Sequence, residues 1–133
     1  MTSEISPQGV PEVVAVVGGG TMGAGIVQQF LTTGSRVVLA EVTAEAAEAG
    51  RARVVAGLER ARERGRIDAE PAAYLERLDT VTDVADLPSD VGLVVEAVPE
   101  RPDLKIAVLV AAEAAVRPDT VLASNTRDRK SVV

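Results

Sequence analysis

The sequence contains no cysteine and no histidine among its 133 residues. Without thiols the chain can form neither a disulfide nor a thiolate metal site. Without imidazole it lacks the commonest metal ligand and proton shuttle of proteins. We therefore expect no metal site, and any mechanism that requires a histidine cannot be completed by this chain.

Aromatic residues are almost absent as well. The sequence contains one phenylalanine, Phe30, one tyrosine, Tyr74, and no tryptophan. An aromatic platform for stacking nucleobases is therefore not expected. The formal net charge of −6 at pH 7 argues against non-specific nucleic-acid binding, which requires many phosphates to be neutralised. We expect no nucleic-acid partner.

Long apolar runs are missing too. No run approaches the ~20 residues that cross a bilayer. Residues 1–12 lack the basic start and the apolar centre of a signal peptide. We expect a cytoplasmic protein with no membrane partner, in which residues 1–12 form a flexible N-terminal tail.

Aliphatic residues are plentiful, since 47% of the chain is hydrophobic, and the length is that of a single domain. Strand and helix patterns alternate throughout, which favours an α/β fold with a doubly wound parallel sheet and helices on both faces. Strands are predicted at residues 12–17, 36–40, 79–82, 92–98 and 120–123, and helices at 21–33, 43–65, 68–78 and 103–116.

Two helices are predicted between the second and third strands, where a simple crossover needs one. Asp68 is the predicted N-cap of the extra helix, with Pro71 tolerated in its first turn. The last predicted helix is expected to bury Ile106, Leu109 and Val110. The extra helix is therefore interpreted as an insertion.

The stretch VVAVVGGGTMGAGIVQQFLTT at residues 13–33 carries the clearest functional signal. An apolar strand runs into a glycine turn that opens a helix, and the first N–H groups of such a helix attract phosphate. Gly18, Gly20 and Gly23 fit G-x-G-x-x-G. In this pattern the first glycine makes the turn, the second admits a pyrophosphate and the third lets helix and strand pack closely.

Glu41 ends the next predicted strand, about 18 residues after Gly23. It could be a solvated carboxylate at a strand end, but the spacing favours a contact with the ribose hydroxyls of adenosine. A carboxylate there would repel a 2′-phosphate by about 1 to 4 kcal/mol. Val42 and Thr43 offer no arginine to reverse that preference, so the predicted cofactor is NAD rather than NADP.

The glycines are followed by T-M-G-A-G-I, and further along come the helical insertion, LVVEAVPE, a lysine five residues after its last glutamate, and LASNT. Together these motifs resemble the NAD-binding domain of the 3-hydroxyacyl-CoA dehydrogenase family over about residues 12–126. The resemblance implies an incomplete Rossmann-type domain at residues 13–126. It also implies an enzyme that oxidises the 3-hydroxyl of a 3-hydroxyacyl-CoA by passing hydride to NAD.

The resemblance assigns roles to particular residues. It implies that Thr21 and Met22 accompany the glycines at the cofactor, and that Glu100 and Lys105 lie along it. Ser124 would reach the substrate oxygen and the nicotinamide, as a supporting residue in catalysis. Lys105 could instead be an exposed helix lysine, and Glu100 a surface charge.

Two further residues are expected to contact the substrate. Asn125 would lie next to Ser124, although these two residues could simply form a turn at a strand end. Arg64 matches a basic position that contacts coenzyme A in the family. Its arginine neighbours suggest a solvated face instead, and Gly57 stands where family members often carry a serine.

The resemblance also implies parts that the sequence does not contain. In the family, a histidine beyond the LASNT strand is the acid/base, and a second, all-helical domain closes the cleft and forms a homodimer. We expect the chain to lack its last strands and to be inactive alone. Residues 127–133 are predicted to be a non-native tail, since DRKSVV is what a common sequencing adapter encodes.

Two alternatives remain open for the function. One is another NAD-linked dehydrogenase of the 3-hydroxyisobutyrate or 6-phosphogluconate type, against which the helical insertion and ASNT both count. The other is a non-catalytic NAD-binding module, acting as a sensor or as a structural relative of the family. In the complete gene, a histidine in a His-Phe-Phe-Asn-Pro-like segment would favour the 3-hydroxyacyl-CoA dehydrogenase, and its absence would favour the non-catalytic module.

Overall fold

Alternating apolar strands and helices build a five-stranded parallel sheet in the computed structural model, which describes residues 11–98 and 101–124. The strands are β1 (Val13–Val17), β2 (Arg36–Ala40), β3 (Leu78–Val81), β4 (Leu93–Glu96) and β5 (Val121–Ser124); the helices are α1 (Thr21–Thr32), α2 (Ala44–Glu63), α3 (Pro71–Leu75) and α4 (Pro102–Ala115). All of these except α3 lie within two residues of their predicted ends. None of the described helices is long and apolar enough to cross a membrane.

The first strand of the chain lies in the middle of the sheet, whose order is β3-β2-β1-β4-β5. Val17 at the end of β1 lies opposite Ala40 of β2 on one side and opposite Glu96 of β4 on the other. The chain therefore winds outward from β1 in one direction and then in the other, which confirms the predicted doubly wound sheet. Such sheets bind ligands in the crevice where the direction reverses, here between β1 and β4.

Each face of the sheet carries its own hydrophobic core, because successive side chains of a strand point to opposite sides. Val14 and Val16 pack beneath α1 and α2, whereas Ala15 and Val17 pack on the side of α4. Valine, leucine and alanine supply the buried members of both layers, and Phe30 is only partly buried. The scarcity of aromatic residues therefore leaves both cores aliphatic.

The predicted start of α3 is wrong. Asp68 is not its N-cap, because the helix begins at Pro71 after an extended Glu70 with ψ of 147°. Proline disfavours the helical conformation in the residue before it, so the helix cannot begin earlier. It also ends early because Leu78 is drawn into β3, where it is buried. The insertion of a second helix between β2 and β3 is confirmed.

The predicted buried face of α4 is also wrong. Ile106 and Val110 are 64% and 62% exposed, and Leu109 is half-buried. Val108 and Ala112 face the sheet instead. The helix is apolar on nearly every side, so its sequence pattern does not define which stripe is buried.

The orientation of α4 predicts a difference between two neighbouring valines. Val108→Ala should lower the free energy of unfolding by about 1–3 kcal/mol, because it leaves a cavity in the core. Val110→Ala should change that free energy by less than about 0.5 kcal/mol, because the side chain is exposed. Urea unfolding of both variants measures the difference. Equal losses would show that α4 is rotated differently.

Candidate functional site

The first glycine of the turn has a backbone conformation that other residues rarely adopt. Gly18 follows β1 directly with φ of +104°. Its N–H donates to the carbonyl oxygen of Ala40 at 2.9 Å, and a Cβ here would lie 2.8 Å from the carbonyl oxygen of Ala97. The turn is therefore held between the ends of β2 and β4 and requires glycine.

The other two fingerprint glycines serve different purposes. A Cβ on Gly23 would lie 1.8 Å from the carbonyl oxygen of Gly18, so α1 can pack against the turn only without a side chain there. A Cβ on Gly20, the N-cap of α1, would meet no atom within 4 Å. This open space lies at a helix N-terminus that has no side-chain cap, and a pyrophosphate suits both the space and the helix dipole.

A cleft of about 660 Å³ opens at the carboxyl ends of β1, β2 and β4. The predicted cofactor residues that line it are Gly18, Gly20, Thr21, Met22 and Glu41. Gly23 lies behind it, in the contact between α1 and the turn. Most of the remaining described lining is aliphatic, which is typical of nucleotide and other small-molecule sites.

Two charged side chains hold the same residue of the glycine turn. Glu41 accepts a hydrogen bond from the N–H of Gly19 at 2.6 Å, and Arg53 of α2 donates to the carbonyl oxygen of Gly19 at 2.7 Å. Both side chains line the cleft, and Arg53 is the one cation among its described lining residues. Glu41 thus lies where the sequence predicts it, beside the turn at the end of β2.

Sequence reasoning missed Arg53. Its signal is weak, because arginines are frequent along α2 and all of them, Arg53 included, are exposed. The informative residue is Gly50, one turn earlier, whose Cα would lie 3.1 Å from a Cβ on Gly19. A small residue in the interior of α2 indicates that this helix comes close to the turn.

A second charged cluster lies at the ends of β4 and β5. Glu96 is fully buried, and its carboxylate accepts hydrogen bonds from Lys105 Nζ at 2.9 and 3.0 Å. Ser124, its partner in the sheet register, donates to the same carboxylate at 2.5 Å, and the N–H of Val98 donates at 2.6 Å. The predicted residues Lys105 and Ser124 are therefore brought together by a residue that was not predicted.

The sequence around Glu96 contains a pattern from which a buried ion pair could have been predicted. It is the one charged residue in the apolar run GLVVEAV, and a charge inside a central strand needs a partner when it is buried. Lys105 is that partner, with a side chain only 12% exposed. The interpretation of Lys105 as an exposed helix lysine is therefore wrong.

Three predicted site residues remain. Glu100 and Asn125 fall outside the described residues, as does the predicted tail at 127–133. Arg64 is exposed at the C-terminal end of α2, in a separate small groove of about 130 Å³. Gly57 lines that groove as well, and its carbonyl oxygen accepts a hydrogen bond from Gln28 at 3.3 Å.

A strand, a glycine turn and a helix, with an acidic residue at the end of the next strand, define a Rossmann-type dinucleotide-binding domain. A family model described as the NAD-binding domain of 3-hydroxyacyl-CoA dehydrogenase matches residues 13–130. The chain therefore belongs to the 3-hydroxyacyl-CoA dehydrogenase family, as the NAD-binding domain, and the predicted cofactor NAD is confirmed.

Solved structures of the same family resemble this domain closely. M. tuberculosis FadB2 is 40% identical with a TM-score of 0.81, and the (S)-3-hydroxybutyryl-CoA dehydrogenase of Ralstonia eutropha is 34% identical with a TM-score of 0.79. Each match covers 86% of this chain and 41% of the other. The 3-hydroxybutyryl-CoA dehydrogenase of Escherichia coli K12 is 37% identical with a TM-score of 0.77, over 86% of this chain and 24% of that one. This chain thus spans less than half the length of these relatives.

The contact between Gly23 and the turn predicts a large difference between two glycines of α1. Gly23→Ala should lower the free energy of unfolding by at least about 2 kcal/mol, because the methyl group would overlap backbone that cannot move away. Gly25→Ala is the matched control, since a Cβ there meets no atom within 4 Å. It should raise stability by about 0.5–1 kcal/mol through helix propensity. Similar unfolding curves for the two variants would contradict this packing.

Proposed function

We propose that the protein containing this domain oxidises the 3-hydroxyl of a 3-hydroxyacyl-CoA to the 3-oxoacyl-CoA. The match of the family model over residues 13–130 carries the proposal. Supporting it, structures 34–40% identical to this chain include two 3-hydroxybutyryl-CoA dehydrogenases. In the reaction a hydride leaves C3 of the substrate and the hydroxyl proton passes to a base. The bound NAD supplies the hydride acceptor.

The glycine turn and Glu41 bind the adenosine half of the cofactor in this proposal. The open space above Gly20 receives the pyrophosphate, where the N-terminal end of α1 stabilises its charge. Thr21 and Met22 border it, and Glu41 accepts hydrogen bonds from the ribose hydroxyls. To do so, Glu41 either gives up its hydrogen bond with the N–H of Gly19, or keeps that bond on one carboxylate oxygen and accepts the ribose hydroxyls on the other.

The residues at the ends of β4 and β5 serve the reacting half. Ser124 lies beside the substrate oxygen and the nicotinamide region, and Lys105 and Glu100 lie along the cofactor. Asn125 contacts the substrate beside Ser124. Arg64 binds a phosphate of coenzyme A, for which its exposed position at the end of α2 leaves room.

The remaining parts of the enzyme are proposed from the resemblance alone. A histidine beyond the LASNT strand accepts the hydroxyl proton. A helical domain closes the cleft and forms a homodimer. From the net charge of −6 and the lack of a long apolar run, we also propose that the protein acts in the cytoplasm and that neither a nucleic acid nor a membrane is among its partners.

Glu41 is expected to set the preference for NAD over NADP. Glu41→Gln keeps the size of the side chain but removes the charge that would repel a 2′-phosphate. The ratio of the dissociation constants for NADP and NAD should therefore fall by at least about fivefold, from a repulsion of about 1 kcal/mol or more. NMR titration of the chain measures both constants.

Glu59→Gln is the control for this substitution, because Glu59 is exposed on α2 and does not line the cleft. It should leave the ratio unchanged. An unchanged ratio in Glu41→Gln would show that the carboxylate does not select the cofactor.

Turnover separates the proposed enzyme from a module that only binds NAD. The purified 133-residue chain should produce no NADH above blank from 3-hydroxybutyryl-CoA and NAD, because the proton acceptor is missing. The product of the complete gene should produce NADH. The absorbance of NADH measures the rate in both cases.

Activity of the 133-residue chain would refute the assignment of the base. A complete protein that binds NAD without turnover would favour the non-catalytic module, and turnover of another hydroxyacid alone would favour a different dehydrogenase.

A further inference from the structure

The carboxylate of Glu96 is surrounded by hydrogen-bond donors. Oε1 receives Lys105 Nζ at 3.0 Å and the Ser124 hydroxyl at 2.5 Å. Oε2 receives Lys105 Nζ at 2.9 Å and the N–H of Val98 at 2.6 Å. Each oxygen of this fully buried group thus has two contacts, which uses the roughly four acceptor sites of a carboxylate.

This arrangement fixes the direction of the Ser124 hydroxyl. An ammonium group and a backbone N–H can only donate hydrogen bonds, so the carboxylate must be the acceptor for both. Glu96 is ion-paired with the Lys105 ammonium, and an ionised carboxylate has no proton to donate, so the proton in the contact with Ser124 comes from the serine. A hydroxyl has one proton, so Ser124 has only lone pairs left for any ligand.

We infer that Glu96 is a positioning residue that makes Ser124 a hydrogen-bond acceptor for the cofactor. The preferred ligand group is therefore a donor. This inference rests on the NAD site but not on the identity of the substrate. On the nicotinamide ring of NAD, the group that can donate such a hydrogen bond is the N–H₂ of the carboxamide.

The topology indicates which half of NAD lies near Ser124. Glu41 is at the end of β2, on one side of the glycine turn, and Ser124 is at the end of β5, on the other side. A dinucleotide binds along this edge across the reversal point, with its halves on opposite sides. If the adenosine half lies over β2, the nicotinamide half lies toward β4 and β5, where Ala97 and Val98 line the cleft.

An analogue of NAD tests the direction of the hydrogen bond. In 3-acetylpyridine adenine dinucleotide a methyl group replaces the carboxamide N–H₂, while the neighbouring carbonyl is retained. The unmodified chain should bind NAD about three- to tenfold more tightly than the analogue, which corresponds to one hydrogen bond. NMR titration of the 133-residue chain measures both dissociation constants even where binding is weak.

Two substitutions of Ser124 assign this preference to its hydroxyl. Ser124→Ala removes the acceptor and should make the two affinities equal. Ser124→Thr keeps the hydroxyl and should retain most of the preference. Equal affinities in the unmodified chain, or a preference that survives Ser124→Ala, would overturn the inference.

Glu96→Gln separates positioning from a structural role. The N–H of Val98 is a fixed donor, so the oxygen of the new amide should face Val98 and its N–H₂ should face Ser124. Ser124 then accepts a hydrogen bond from this amide and can turn its own proton toward the ligand, so the preference for NAD should disappear although Ser124 is intact. A residue that only supported the fold would weaken both ligands equally and leave their ratio unchanged.

Two controls complete the experiment. Glu113→Gln makes the same chemical change at an exposed position of α4 and should preserve the preference. ADP-ribose, which lacks the nicotinamide, should bind equally to all variants. Suppose that ADP-ribose binds all variants equally, and that the ratio of the dissociation constants of the analogue and NAD is the same in Glu96→Gln as in the unmodified chain. The inference then fails while the NAD site stands. If ADP-ribose does not bind the unmodified chain, the NAD site fails and the inference with it. Should Glu96→Gln not fold, the Ser124 variants decide alone.

Discussion

The approach of α1 to the end of β1 is the constraint on which the rest of the structure depends. It is possible because Gly23 has no side chain where the carbonyl oxygen of Gly18 lies. The same turn receives α2, through the contact between Gly19 and Gly50, and it is bonded to the end of β2 through Gly18. One short segment without side chains therefore sets the position of two helices and leaves the backbone open toward the cleft.

The parts of the fold that depend on local sequence could be predicted. The strand alternation, the glycine spacing and the acidic residue at the end of β2 are each visible within a few residues, and the structure places Gly18, Gly20, Gly23 and Glu41 accordingly. The errors have a different origin. The start of α3 depends on how Pro71 restricts Glu70, and the face of α4 depends on contacts with the sheet that an almost wholly apolar helix does not encode.

The missed charged residues form contacts between distant parts of the chain. Arg53 meets Gly19 across 34 residues and Ser124 meets Glu96 across 28, so neither pair is visible as a local pattern. The ion pair of Glu96 and Lys105 is also buried, and such pairs add little net stability because desolvation offsets their attraction. Its position at the ends of β4 and β5 is better explained by the groups that it orients than by the stability of the sheet.

The central position of β1 has a consequence for synthesis. β1 is synthesised before the other four described strands, but one of its edges pairs with β4, where Val14 lies opposite Leu93. That edge stays uncovered while the intervening strands and helices are made, and its sequence VVAVV has no charge or proline to discourage pairing with another chain. Until β4 is made, a nascent chain therefore carries an unpaired apolar strand edge that can pair with another chain.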